Sequence, residues 1–198
     1  MRRIEQVRLD ACSGVLHPEN LARYDVRRFE PHPDISEVVD YYWHVRWHLD
    51  EGEVISQRII DAVNVHLTVE EGAVPAPLVV TGVHRRVWHR QIRDSGSAFG
   101  IRLRPAGLAV VSDLTPSRIA DSTVAVTPSL DRRLHETMSA VAAADAAEDR
   151  VEAANAASPS AWPNGPSALS GASPTPSTTS WWRESAPGSG PTWRNGSG

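Results

Sequence analysis

Eight histidines, two of them four residues apart, are the first residues here whose type and spacing point to metal chemistry. On a helix, His44 and His48 would share one face about 6 Å apart, close enough to hold one ion. They fall instead in a stretch that alternates apolar and polar residues. Four strand residues span about 13 Å, too far for one ion. A His-x-His pair followed by a glutamate, a frequent metal pattern in small β-barrels, is absent. His66 is alone on its strand, and His84 and His89 sit in different phases. The histidines therefore read as surface or hydrogen-bonded structural residues, and no metal or cofactor is expected.

Nucleophilic and phosphate chemistry find little more. There is no Gly-x-Ser-x-Gly elbow, and Ser95-Gly96-Ser97 is turn chemistry ahead of a strand. The paired carboxylates Asp50-Glu51 and Glu70-Glu71 sit at turns and read as solvated surface. Gly96 to Gly100 lacks the Lys-Ser/Thr that would make a phosphate loop. The expectation is that the protein is not an enzyme. Binding chemistry has better candidates. Arg102 and Arg104, two residues apart, share one face of a strand, where they either hold an anion or carboxylate ligand or pair with Asp or Glu on a neighbouring strand. Trp43 and Trp47 either fill the core or wall a ligand pocket. With His66, these four make the candidate ligand-binding set.

The elements that carry them are strands. Residues 38–48 place Val39, Tyr41, Trp43, Val45 and Trp47 on one face and Asp40, Tyr42, His44, Arg46 and His48 on the other. Residues 63–70 repeat the alternation, and 78–83, 87–92 and 97–104 read as further strands. Short strands with Gly- and Pro-bearing turns, and no long helix between them, predict a mainly β fold over residues 1–128: an antiparallel barrel or sandwich, with the stretches between Val38 and Arg104 curled into a closed shell. Over 129–157 the period changes. Leu130, Leu134, Met138 and Val141 line one helix face, Ser129 is the expected N-cap, and the alanine-rich later turns need a partner, either the sheet or a second copy. This is read as one linker or dimerisation helix. Residues 158–198 are more than half Ser, Pro and Gly, with Leu169 the only aliphatic residue larger than alanine and four of the seven tryptophans. That composition predicts a disordered tail, read as a shifted frame of GC-rich DNA.

Composition narrows the class. The chain has 198 residues, 40% hydrophobic, with a net charge of −4, so no bulk basic surface faces nucleic acid. All 20 basic residues are arginine, as codon bias in GC-rich DNA would produce. The single cysteine, Cys12, excludes an internal disulfide and reads as an inert thiol. The opening residues are not followed by the apolar stretch of a signal peptide, and no apolar run approaches the roughly 20 residues that span a bilayer. A cytoplasmic location and no membrane partner are expected.

One stretch carries a resemblance. Phe99-Gly100-Ile101-Arg102-Leu103-Arg104-Pro105-Ala106-Gly107 resembles the Phe-Gly-Val-Arg-Phe-Arg-Pro-Gly-Gly signature of an N-terminal domain of AraC-type transcriptional regulators. Tyr42-Trp43-His44-Val45-Arg46-Trp47 is similar to that domain's Tyr-Trp-x-Val-Arg-Trp element. Ile59-Ile60-Asp61-Ala62-Val63-Asn64-Val65 is similar to its Leu-Pro-x-Pro-x-Val-Asn-Leu entry, and Gly82-Val83-His84 to its Gly-Val-x-Thr turn. Order and spacing agree over about residues 14–134. Two departures stand out: Ala106 replaces a glycine, and Ile60-Asp61-Ala62 lacks the prolines. The resemblance implies a cupin-like regulatory domain that senses a small-molecule effector or dimerises, with itself or with a full-length homologue. The two helix-turn-helix units that follow in such regulators have no counterpart here, so specific DNA binding by this chain alone is not expected. The alternatives are a small cupin-type metalloenzyme and a non-functional remnant.

Overall fold

The computed structural model describes residues 5–6, 18–60, 64–72 and 74–157. Cys12, Val63 and the expected disordered tail over 158–198 lie outside the described residues.

The alternating stretches do form strands: β1 (Glu5–Gln6), β2 (Tyr24–Phe29), β3 (Val39–His48), β4 (Val54–Ile59), β5 (His66–Gly72), β6 (Leu78–Thr81), β7 (Trp88–Arg93), β8 (Ser95–Leu103) and β9 (Thr123–Ala125). Three helices follow or interrupt them: α1 (Gly107–Val111), α2 (Arg132–Ala142) and α3 (Ala147–Ala156). The strands pair antiparallel into a seven-stranded sheet, in the order β1-β2-β3-β8-β5-β6-β9, and a two-stranded sheet, β4-β7. The fold is mainly β and sandwich-like. The expected closed shell is not formed: among the described residues the large sheet ends at β1 and β9, and the small sheet covers part of one face. The chain passes between the sheets at Asp94, between β7 and β8, whose φ of 53° suits a short polar side chain in a sharp corner.

Both faces of the large sheet are covered, so the polar face read over residues 38–48 is packed as well as the apolar one. The register of β3 against β8 slips between Val39 and Tyr41. Beyond that slip, Tyr42 (0% exposed) and His44 (2%) are buried on the same side as Phe99, Ile101 and Leu103, facing the helices. Trp43, Val45 and Trp47 face the small sheet, around Leu49, Ile55, Ile92 and Ala98. A strand between two layers reads as alternating when one layer is packed through polar-tipped Tyr and His.

The single helix expected over 129–157 is two helices, α2 and α3, joined by the turn around Ala143–Ala146. Alanine-rich sequence carries no apolar signal strong enough to mark that break. The N-cap is Asp131, not Ser129: its Oδ1 accepts from the Leu134 N–H at 2.9 Å, and its Oδ2 from Ser112 Oγ at 2.6 Å. Burial raises the Asp131 carboxyl, but the N–H and O–H groups of Leu134, Ser112 and Asp113 outweigh that and hold it below its usual range. The helices find their partner in the sheet, since Leu134, Met138, Val141, Val151 and Ala154 belong to one core with Leu67, Val80 and Phe99. The sequence pattern does not mark β1, β2, β4, β9 or α1.

Candidate ligand-binding face

β8 presents Gly96, Ala98 and Gly100 on the side of the sheet that faces the hairpin of β4 and β7. This flat stripe seats two indoles from β3. A Cβ on Gly96 would come within 2.5 Å of the Trp47 ring, and one on Gly100 within 2.0 Å of the Trp43 ring. Trp47 is buried under the hairpin, its indole N–H donating to the Arg93 carbonyl at 3.1 Å. Trp43 lies further along, and its indole N–H donates to His66 Nδ1 at 3.2 Å. That bond makes Nδ1 an acceptor and places the proton of the neutral ring on Nε2.

The cluster under the hairpin reaches Trp43 and stops. Beyond it, the ladder aligns Tyr41, Arg102 and His66 across β3, β8 and β5. Arg102 donates to the Tyr41 hydroxyl and to Asn64 Oδ1, both at 2.7 Å, and its Nε lies 3.6 Å from Asp40. Asn64 is fixed in turn by donating to the Leu103 carbonyl at 2.7 Å. Arg28 on β2 stands opposite Trp43, its guanidinium carbon 3.6 Å from the centroid of the Tyr41 ring.

Of the five residues singled out in the sequence, the structure therefore gathers Trp43, His66 and Arg102 in one half-buried polar and aromatic cluster. Trp47 stands with the hairpin core. Arg104 falls just past the end of β8, where it donates to the Ser36 carbonyl at 2.6 Å and sits 3.7 Å from Asp40. The pairing alternative for the two arginines is thus met through Asp40 on β3. Tyr41, Asn64 and Arg28 are members that sequence reading missed. Tyr41 could have been found, since it shares the alternation phase of Trp43; Arg28 could not, because β2 was not recognised.

At the other end of this face, Arg90 from β7 pairs with the buried Glu70 of β5 at 2.6 Å, tying the hairpin to the large sheet. Among the described residues the buried hydroxyl of Tyr24 nearby has no hydrogen-bond partner, and burial pushes it up to about 12, against the smaller pull of Arg23 and Arg90. Among the described residues, no group of three or more His, Cys, Asp or Glu is placed to hold a metal ion. None of the described helices is long and apolar enough to cross a membrane.

A family model, described as a domain of unknown function (DUF6597), matches residues 27–125, half of the chain. The chain belongs to the DUF6597 family. The matched DUF6597 segment opens within β2 and closes at the end of β9, so it contains every residue of the cluster just described. Helices α2 and α3 lie beyond the DUF6597 match yet share the core of its sheet. No curated protein and no solved structure matches the chain.

Proposed function

We propose that this DUF6597 domain is an effector-sensing regulatory domain of the kind found in AraC-like regulators, recognising a small molecule rather than transforming it. The observation that carries this reading is the Tyr41–Trp43–His66–Arg102 cluster. It offers an indole, a phenol, an imidazole and a guanidinium on one rigid sheet face, each oriented by a hydrogen bond within the domain. Rings supply apolar contact and the few fixed polar groups supply orientation, the usual division of labour in small-molecule sites.

Between sensing and dimerisation, the packing favours sensing. The apolar faces of α2 and α3 are already used against the sheet, which leaves them little to offer a second copy. The start of α3 bears Glu148 and Asp149, charges that repel a phosphate backbone. Direct DNA reading by these helices is therefore not expected.

The test is thermal unfolding of the full chain with a panel of small sugars, amino acids, organic acids and amines. A ligand at 100 times its Kd adds about 2.7 kcal/mol to stability. At least one class should raise the melting temperature, and Trp43→Phe should weaken that response. A panel without effect, or a response indifferent to Trp43, Arg102 and His66 substitutions alike, would defeat the proposal. So would tight, sequence-dependent retention of DNA in a mobility-shift assay at physiological salt.

A further inference from the structure

Resting on the effector reading above, the cations of this face narrow the ligand's chemical class. We infer that Arg28 is the receptor for a carboxylate on the effector. Its guanidinium stacks on the Tyr41 ring at 3.6 Å, and the Arg102 guanidinium lies 5.1 Å from the same ring. A guanidinium held over a ring face keeps its planar fork of N–H donors, which matches the two oxygens of a carboxylate.

The neighbouring arginines are engaged. Arg102 donates to Tyr41 and Asn64, Arg104 to the Ser36 carbonyl, and Arg27 to Glu148 at 2.8 Å. Among the described residues the Arg28 guanidinium has no ion pair or hydrogen bond, only the ring beneath it. One available fork suits one carboxylate. A phosphate dianion asks for more donors, and the Asp40 carboxylate beside Arg102 and Arg104 opposes a second negative charge. Trp43, opposite Arg28 in the ladder, provides the adjoining apolar surface. The ligand is therefore a monocarboxylate with a flat or apolar body. Glu5 stands opposite Arg28 in the β1–β2 register.

The experiment is calorimetric titration of the full chain with benzoate, benzamide and inorganic phosphate at fixed ionic strength. Benzoate binds, while benzamide and phosphate bind at least tenfold more weakly or not at all. Arg28→Gln weakens benzoate at least tenfold and Arg28→Lys by less, with the unliganded melting temperature changed only slightly, since the exposed Arg28 gives up only its contact with the Tyr41 ring. Glu5→Gln binds benzoate at least as tightly as the natural chain. Benzamide binding as tightly as benzoate, phosphate binding more tightly, or Arg28→Gln binding benzoate unchanged overturns the inference while leaving the sensing role standing. Loss of benzoate in Glu5→Gln equal to that in Arg28→Gln also overturns it, since strand pairing rather than charge would then be the cause. If none of the three probes binds, the carboxylate assignment fails, and the wider thermal panel judges the effector reading separately.

Discussion

The indole of Trp43 rests directly on Gly100: any β-carbon at that position would sit 2.0 Å from the ring. The contact sets the height of Trp43 above the sheet and so its reach to His66. Gly100→Ala should destabilise the fold by about 1–3 kcal/mol, the usual cost of forcing extra volume into a packed site. Replacing Trp43 by Val in the same chain should recover part of that loss. Urea unfolding of the two single variants and the double variant checks it; strictly additive losses would show that the ring and the glycine do not interact.

Ala106 occupies the place where the AraC-like signature has glycine, and its φ of 69° is left-handed. A β-carbon there is strained against its own backbone. Ala106→Gly should therefore stabilise the domain by about 0.5–1 kcal/mol, the gain from relieved strain exceeding the extra entropy of an unfolded glycine. Gly107→Ala should do the reverse, because its β-carbon would come within 2.6 Å of the Val38 carbonyl. A fall in melting temperature on Ala106→Gly would refute the strain argument.

Acid should weaken the sheet–helix packing through His44. Burial chiefly, then the charges of Arg27, Arg46 and Arg150, lower its pKa from 6.5 to about 4, against a small opposing effect of Asp25. The unfolded chain thus binds the proton at higher pH than the folded one. Stability from the neutral ring is fully present above about pH 6.5 and is lost as pH falls toward 4, by up to about 3 kcal/mol. Urea midpoints for the natural chain should fall across this window, and those of His44→Gln should fall less. Parallel profiles would place the acid sensitivity elsewhere.

Arg150 on α3 and Glu71 on β5 form an ion pair of unequal partners. The Arg150 side chain is 3% exposed and that of Glu71 52%. Ser97 first, then Arg150, hold the Glu71 carboxyl below its ordinary range, against the opposing effect of burial. Removing the half-exposed acid strands a buried cation that, among the described residues, keeps the Ala144 carbonyl at 2.8 Å. Removing the arginine leaves a carboxylate that water can reach. Glu71→Ala should therefore cost about 2–3 kcal/mol and Arg150→Met about 1 kcal/mol or less, below the 3–5 kcal/mol of a fully buried broken pair. Equal losses by calorimetric unfolding would contradict this asymmetry.

Sequence by itself determined the β character of this protein and the identity of most strands, because a period of two in Val39 to His48 or Phe99 to Leu103 is written locally by which residues are apolar. Residue type and strand position alone also put Trp43, His66 and Arg102 forward as binding candidates. What it could not determine was which layer each face meets. The slip at Val39/Tyr41 moves Tyr42 and His44 onto the helix side, and only pairing with β8 reveals it. Likewise Arg28 joins Tyr41, and Arg150 meets Glu71, through contacts between residues far apart in the chain. Local pattern encodes a strand's two faces, but neighbours across the sheet and between layers are chosen by packing the whole core, so the assembled site belongs to the tertiary structure.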